Sequence, residues 1–316
     1  MSVCAQPYCP PWWLKNGHIQ SCVSTLLKPS VLPGVHWEEL ILPDGDFVDL
    51  CWAGTETGPI VVLLHGLEGS IYSSYIQLTM QSLAHAGYGV VLLHFRACGG
   101  RINRKPYSYH ASFTDDLAYL VEVLCARYPG RVINAIGFSL GANVLAHYLL
   151  SHAPSVLSRA IAISMPFEMQ ASADYIPRLY RWSLLRSMKR KIIAKINQGQ
   201  AMPVSSQAVE ACQSFHAFDE LITAPLNGFS SAIEYYQASS VRHRLKAIET
   251  PMLVLHAKDD PFTPPATIPR PSELSTSIEF ELCQWGGHLG FLQGGWPWQV
   301  EPWFRYRILE FLEKSV

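Results

Sequence analysis

The apolar residues of this chain fall into two rhythms. Ile60–Leu64 (IVVLL), Val90–His94, Val132–Ile136, Ala160–Ser164 and Met252–Leu255 are short, mostly apolar runs, and Ile278–Leu282 follows them. Runs of this length suit strands covered on both faces. Between them lie stretches of helical spacing. Ser74–Ala86 closes at Gly87, and Ser112–Tyr128 carries Leu117, Leu120, Val121 and Leu124 on one face before Pro129-Gly130 stops it. Ala142–Leu150 and Trp303–Leu312 read as further helices. Glu39–Leu42 and Phe47–Trp52, joined through Pro43-Asp44-Gly45-Asp46, predict a hairpin. Strands alternating with helices predict an α/β fold, with a mostly parallel sheet covered on both faces.

Two stretches break the rhythm. Residues 1–35 are rich in proline and aromatics with little periodicity, and read as an irregular arm packed on the body. From Phe167 to Tyr236 no buried-strand pattern occurs, and Arg178, Arg181, Arg186, Lys189, Arg190, Lys191 and Lys195 cluster. Leu185, Met188, Ile192 and Ile196 share one helical face, which predicts an amphipathic basic helix inside an inserted cap. Such a helix can meet an anionic substrate or a membrane surface. An ordinary solvated helix face explains the same charges and is the favoured reading. The simplest organisation is one domain over residues 1–316, with a helical cap at 167–236 and the arm at 1–35.

Composition narrows the class. The chain has 316 residues, 49% hydrophobic and 16% charged, which fits a well-buried core. Its net charge of −1 gives no reason to expect a nucleic-acid partner. The eight cysteines, Cys4, Cys9, Cys22, Cys51, Cys98, Cys125, Cys212 and Cys283, contain no C-x-x-C pair. Neither a zinc site nor a disulfide framework is expected from that scatter. The first residues lack the basic-then-apolar pattern of a signal peptide, and no apolar run approaches the ~20 residues of a membrane span. The expectation is a soluble cytoplasmic protein in a reducing compartment, with no cofactor or metal and no defined oligomeric state.

The chemistry concentrates at strand ends. Gly137-Phe138-Ser139-Leu140-Gly141 stands between a strand and a helix, the setting of a G-x-S-x-G nucleophile elbow. The flanking glycines suit a turn at which strand and helix pass close together. Acyl transfer from a serine also needs a base, an orienting carboxylate and oxyanion donors. Asp259-Asp260 follows the run ending at His256, and His288 lies in a glycine-rich loop after the last strand. The order Ser139, Asp260, His288 is that of the α/β-hydrolases. Ala257 takes the small position of a small-x-x-Asp-Pro pattern, so Asp260 is the expected carboxylate and Asp259 a turn residue or hydrogen-bond partner. The backbone N–H groups of Leu67 and Leu140 are the expected oxyanion donors. His65 is expected to buttress the loop before Leu67.

With these motifs the sequence resembles the YheT-like branch of the α/β-hydrolases, which includes eukaryotic ABHD-type lipases and yeast ester-forming acyltransferases. The resemblance runs nearly end to end. It rests on WLKNGHIQS, LLHGLEGS, FRACGGRINRKPYSYHASFTDD, GFSLGAN, FDELITAPLNGF with AIEYYQASS, HAKDDPF and GGHLGF. It implies the α/β-hydrolase fold, a Ser–Asp–His relay and action on carboxylic esters, carried by Ser139, Asp260 and His288. Three segments depart from the usual pattern. Arg-Gly-Cys-Ser-Gly reads Arg96-Ala97-Cys98-Gly99-Gly100, Tyr-His-Ser-Gly-Glu-Thr-Asp-Asp reads Tyr109–Asp116 (YHASFTDD), and Gly-Gly-Asn reads Gly141-Ala142-Asn143. No triad position is touched.

Other residues carry plainer expectations. Asn143 and His147 read as packing or solvated positions, and Ser112 with Asp115 as a helix-capping pair. Trp296, Trp298 and Trp303 can line an acyl pocket near His288 or bury the last helix. The leading expectation is a serine hydrolase of short- to medium-chain carboxylic esters. The alternatives are an acyltransferase or thioesterase using the same triad, and a non-catalytic binding module. The expected partner is a small ester or acyl substrate, with lipid or membrane contact through the basic cap helix as a further option.

Overall fold

The strand Ile60–Leu64 is buried along its whole length, and its alternate residues serve two separate cores. Val62 and Leu64 pack with Leu117, Leu120 and Leu124 on one face, while Val61 and Leu63 pack with Ile76, Met80, Phe304 and Ile308 on the other. The two-residue period of a strand sends successive side chains to opposite faces, so a strand covered twice must be apolar throughout. The computed structural model describes residues 7–27, 34–296 and 299–314.

The central sheet holds β1 (His36–Ile41), β2 (Phe47–Gly54), β3 (Ile60–Leu64), β4 (Gly89–Leu93), β5 (Ile133–Phe138), β6 (Arg159–Ile163), β7 (Met252–Ala257) and β8 (Ile278–Cys283). Their spatial order is β1-β2-β4-β3-β5-β6-β7-β8. β2 runs antiparallel to β1 and β4, and every other pair in the sheet is parallel. A two-residue strand β9 (Leu292–Gln293) pairs with β10 (Glu301–Pro302) beside it. The helices of the body are α1 (Gly17–Leu26), α2 (Ser74–His85), α3 (Asp115–Arg127) and α4 (Leu140–Ser151). Between β6 and β7 the chain runs through α5 (Met169–Tyr175), α6 (Arg178–Asn197), α7 (Ser206–Ala211) and α8 (Phe215–Phe218). It then makes a π-helical turn, Asp219–Thr223, and continues through α9 (Ala224–Leu226) and α10 (Ala232–Ser239). α11 (Phe304–Glu313) closes the body. No helix among the described residues is long and apolar enough to cross a membrane.

Three sequence expectations need correction. The N-terminal stretch is not irregular throughout, because Gly17–Leu26 is an α-helix whose N-cap, Asn16, accepts the N–H groups of His18 and Ile19. Its buried face is Gln20, Ser21 and Ser24, so a search for apolar periodicity passes over it. Ser112 and Asp115 form no capping pair: α3 starts after Thr114, and the Ser112 hydroxyl pairs with His110 Nδ1 and Ser239 Oγ. The basic helix α6 is also not a uniformly solvated face. Lys195 is fully buried, its ammonium held by the carbonyls of Lys105, Pro106 and Tyr107 and by Ser108 Oγ at 2.8–3.0 Å. Burial pushes the Lys195 ammonium down to about 7. Lys191 likewise turns inward, to Glu68 Oε1 and Cys98 Sγ, each at 2.9 Å.

Candidate active site

Ser139 stands between β5 and α4 with φ 52° and ψ −119°, a conformation L-residues rarely adopt. Its environment fixes that strain: the Ser139 N–H bonds to Ile163 O at 2.8 Å, and its carbonyl accepts Ala142 N–H at 3.0 Å to start α4. The flanking glycines are required by close approach. A Cβ on Gly137 would meet Ala142 Cα at 2.5 Å, and one on Gly141 would meet the carbonyl oxygens of Leu64 and His65 at 2.5 Å. These contacts leave the serine hydroxyl at the C-terminal end of the parallel strands, where open α/β sheets place their ligands.

His288 meets that hydroxyl. Its Nε2 lies 2.9 Å from Ser139 Oγ, and its Nδ1 lies 2.9 and 3.1 Å from the two carboxylate oxygens of Asp260. With the carboxylate accepting the Nδ1 proton, Nε2 is left to accept from the serine. Asp260 is 1% exposed, and its Oδ1 also accepts the Phe262 N–H at 2.7 Å. The Phe262 ring lies flat on His288, centroids 4.0 Å apart and planes 10° from parallel. Asp259 points elsewhere, accepting the Gly287 N–H at 2.9 Å, and burial raises its carboxyl above the usual range.

The loop carrying His288 rests on α1, a support not visible in the apolar pattern. Ser21 Oγ accepts the His288 N–H at 2.8 Å and donates to Gly17 O at 2.7 Å. Gln20 Oε1 accepts the Leu292 N–H at 2.8 Å. Gly17 packs so tightly on Asp259 O that a Cβ there would overlap it. Polar side chains at 20, 21 and 24, starting at the end of WLKNGHIQS and running past it, recur at helical spacing, and that pattern is the signal a polar buried face leaves behind.

Leu67 and Leu140, the two expected oxyanion donors, line the same cavity as Ser139. A Cβ on Gly66 would lie 3.2 Å from Ser139 Cβ, so the loop before Leu67 touches the elbow. That loop is tied on all sides. His65 is fully buried, its Nε2 accepts the Phe95 N–H at 3.1 Å, and its Nδ1 donates to Gly66 O at 2.7 Å. Burial drives His65 down to about 3, so it stays neutral and acts as a strut. Tyr75 OH accepts the Gly66 N–H at 2.9 Å, and Tyr109 OH accepts the Glu68 N–H at 2.9 Å.

A cavity of about 340 Å³ opens over Ser139, Leu140 and His288. A large part of its wall comes from the segment between β6 and β7, including Met169, Ile176, Leu184, Met188 and Tyr235, with Ser21, Ser24 and Thr25 of α1 also lining it. Asp219, on the π-helical turn, is a buried carboxylate in this lining. The two described tryptophans expected near it, Trp296 and Trp303, do not line it. Trp303 is buried under the sheet with Tyr8, ring centroids 5.1 Å apart, and Trp296 is exposed on the surface. Trp298 lies outside the described residues. Asn143 and His147 are buried packing positions, bonded to Pro166 O at 2.7 Å and Ser239 O at 3.1 Å.

Residues 59–295 match the family described as alpha/beta hydrolase fold. The chain belongs to that family. It is 33% identical over 96% of its length to the Escherichia coli (strain K12) protein YheT, which carries an esterase name, and covers 92% of that chain. It is 29% identical to the mouse (Mus musculus) phospholipase ABHD3, over 94% of this chain and 76% of the other. The monoacylglycerol lipase of Saccharomyces cerevisiae (strain ATCC 204508 / S288c) is 28% identical over 78% of this chain and 58% of its own. Among solved structures, the Pyrococcus furiosus esterase Pf2001 superposes with a TM-score of 0.56 at 18% identity, covering 88% of this chain and 92% of that one. At that identity the likeness speaks for the fold.

Proposed function

We propose that this chain hydrolyses carboxylic esters through a Ser139–His288–Asp260 relay and an acyl-enzyme. The observation that carries the reading is the unbroken path from Ser139 Oγ to His288 Nε2 at 2.9 Å and from His288 Nδ1 to Asp260 at 2.9 Å. In this reading His288 Nε2 takes the hydroxyl proton as Ser139 Oγ attacks the ester carbonyl, while Asp260 stabilises the imidazolium. The developing oxyanion faces the N–H groups of Leu67 and Leu140, held ready by the ties on Gly66 and Glu68. The imidazolium then protonates the departing alkoxide. Water, deprotonated by the same nitrogen, releases the acid and restores Ser139.

The bounded, largely apolar cavity supports short- to medium-chain acyl groups as the preferred class. The names of the relatives, an esterase and two lipases, support esters of lipid origin. A reducing, cytoplasmic compartment belongs to the same proposal, supported by the free thiols of all described cysteines. A fluorophosphonate probe tests the centre directly. It should label the wild type and lose its target in Ser139→Ala. Equal labelling of both, or no labelling of either, refutes the assignment. A p-nitrophenyl ester series of graded chain length tests the acyl preference, and the rate should fall once the chain outgrows the cavity.

A further inference from the structure

Four large apolar side chains stand in solvent on the segments that line the cavity. Leu26 is 73% exposed, Tyr72 81%, Leu179 72% and Trp182 60%. Each sits next to a residue that lines the cavity: Leu26 beside Thr25, Tyr72 beside Ser73, Leu179 beside Tyr180, and Trp182 beside Ser183. The three segments that carry them touch one another. Cys22 Sγ on α1 lies 3.2 Å from Tyr180 OH on α6, and the His18 and Tyr180 rings stack with centroids 6.1 Å apart. Ser74 Oγ, at the start of α2, donates to Ser24 O at 2.6 Å. The exposed apolar residues therefore form one rim rather than four scattered positions, and such a rim marks an interaction surface.

The charges on the rim select the partner. Along α6, Arg178, Trp182, Arg186 and Arg190 are exposed at four-residue steps, a single face of the helix. The Arg186 guanidinium lies 5.3 Å from the centre of the Trp182 ring. Lys191 and Lys195 are turned inward and do not contribute. Asp174 is the one carboxylate between Met169 and Asn197. Self-association through a two-fold axis would set these arginines against their own copies, a like-charge arrangement that costs affinity. A surface of anionic headgroups over acyl chains complements both features: arginine pairs with phosphate, and tryptophan and leucine enter the headgroup boundary.

We propose that this rim docks the protein on an anionic phospholipid surface, with the cavity mouth turned toward the lipid. The orientation delivers a lipid-borne ester to Ser139 without its first dissolving in water. Docking is an equilibrium property of the rim and is measured without turnover, so its failure and the failure of the ester-hydrolase reading are separable.

Sedimentation with unilamellar vesicles tests it. The wild-type chain should pellet with vesicles of phosphatidylglycerol and phosphatidylcholine, far less with phosphatidylcholine alone, and should be released from the mixed vesicles by high salt. Leu179→Ser with Trp182→Ser, and separately Arg186→Glu with Arg190→Glu, should each weaken partitioning by about tenfold. Both double variants should keep the wild-type melting temperature and the wild-type rate on a water-soluble short-chain ester. Failure of the wild type to bind the anionic vesicles, or equal binding by wild type and variants, overturns the proposal. So does a wild-type dimer that the Leu179/Trp182 variant dissociates, because the rim would then be a self-interface. The salt series uses the unmodified protein, so the test stands even where a variant folds poorly.

Discussion

The hydroxyl of Ser21 accepts the main-chain N–H of His288 at 2.8 Å, joining two residues 267 positions apart. The same hydroxyl donates to Gly17 O, so it is oriented from its own helix. Ser21→Ala leaves a part-buried N–H of the histidine loop without its partner, a loss of about 1–2 kcal/mol in local order. Because the loop holds Nε2 against Ser139, the expected outcome is a kcat about tenfold lower with KM little changed. Steady-state kinetics on one soluble ester, with a melting curve to verify folding, decides it. A change in KM alone would show that Ser21 serves the cavity wall and not the histidine.

The two neighbouring aspartates give a sharper contrast. Asp260 bonds His288 Nδ1, while Asp259 bonds the Gly287 N–H. Asp260→Asn presents an amide in place of the carboxylate that orients and stabilises the imidazolium, and should lower kcat by about 10³–10⁴-fold. Asp259→Asn keeps an oxygen that can accept the Gly287 N–H, loses only the charge, and should cost about tenfold at most. Measuring kcat for both under one set of conditions is enough, and the reverse order would transfer the carboxylate role to Asp259.

Where the physics of a segment is written in apolar spacing, the sequence could be read. β3 and β4 are buried on both faces and therefore appear as unbroken apolar runs. The elbow glycines were legible for a similar reason, since no side chain fits where Gly137 and Gly141 pass their neighbours. α1 was not legible, because Gln20, Ser21 and Ser24 face the histidine loop and a polar interior imitates a solvated face. Lys191 and Lys195 misled in the opposite sense: their ammonium groups find carbonyls and a carboxylate inside, which no charge count reveals. Trp303 is near His288 in sequence but packs beneath the sheet with Phe304 and Ile308, because the chain turns through β9 and β10 before α11.

Ala97 carries a backbone cost that a single change should remove. The Cys98 N–H bonds to Phe95 O at 2.8 Å, closing a four-residue turn whose third residue is Ala97 with φ 64°. A turn with positive φ at that position favours glycine. At this position alanine bears the steric penalty of a left-handed conformation. Allowing for the greater freedom of glycine in the unfolded chain, Ala97→Gly should stabilise the fold by about 0.5–1 kcal/mol. Urea unfolding should show a higher midpoint at unchanged slope. A lower midpoint would mean that the buried Ala97 methyl contributes more packing than the turn costs.

Asp219 links the cavity to pH. Its carboxylate accepts from Thr223 Oγ1 at 2.6 Å and from Tyr236 OH at 2.8 Å, yet burial raises its pKa to about 6. A carboxyl whose folded value lies above its unfolded value binds protons more readily when folded. The cost of keeping it ionised is therefore full above the folded value, shrinks as pH falls through about 6, and is gone below the unfolded value. Asp219→Asn keeps the shape without the charge, so it should be more stable than wild type at pH 8 by on the order of 2–3 kcal/mol. The two stabilities should converge as the pH approaches 4, the unfolded carboxyl value. Denaturant curves for both proteins across that range check the sign and the window together. A difference that is constant with pH would mean that the carboxylate contributes through its two hydroxyl partners and not through its buried charge.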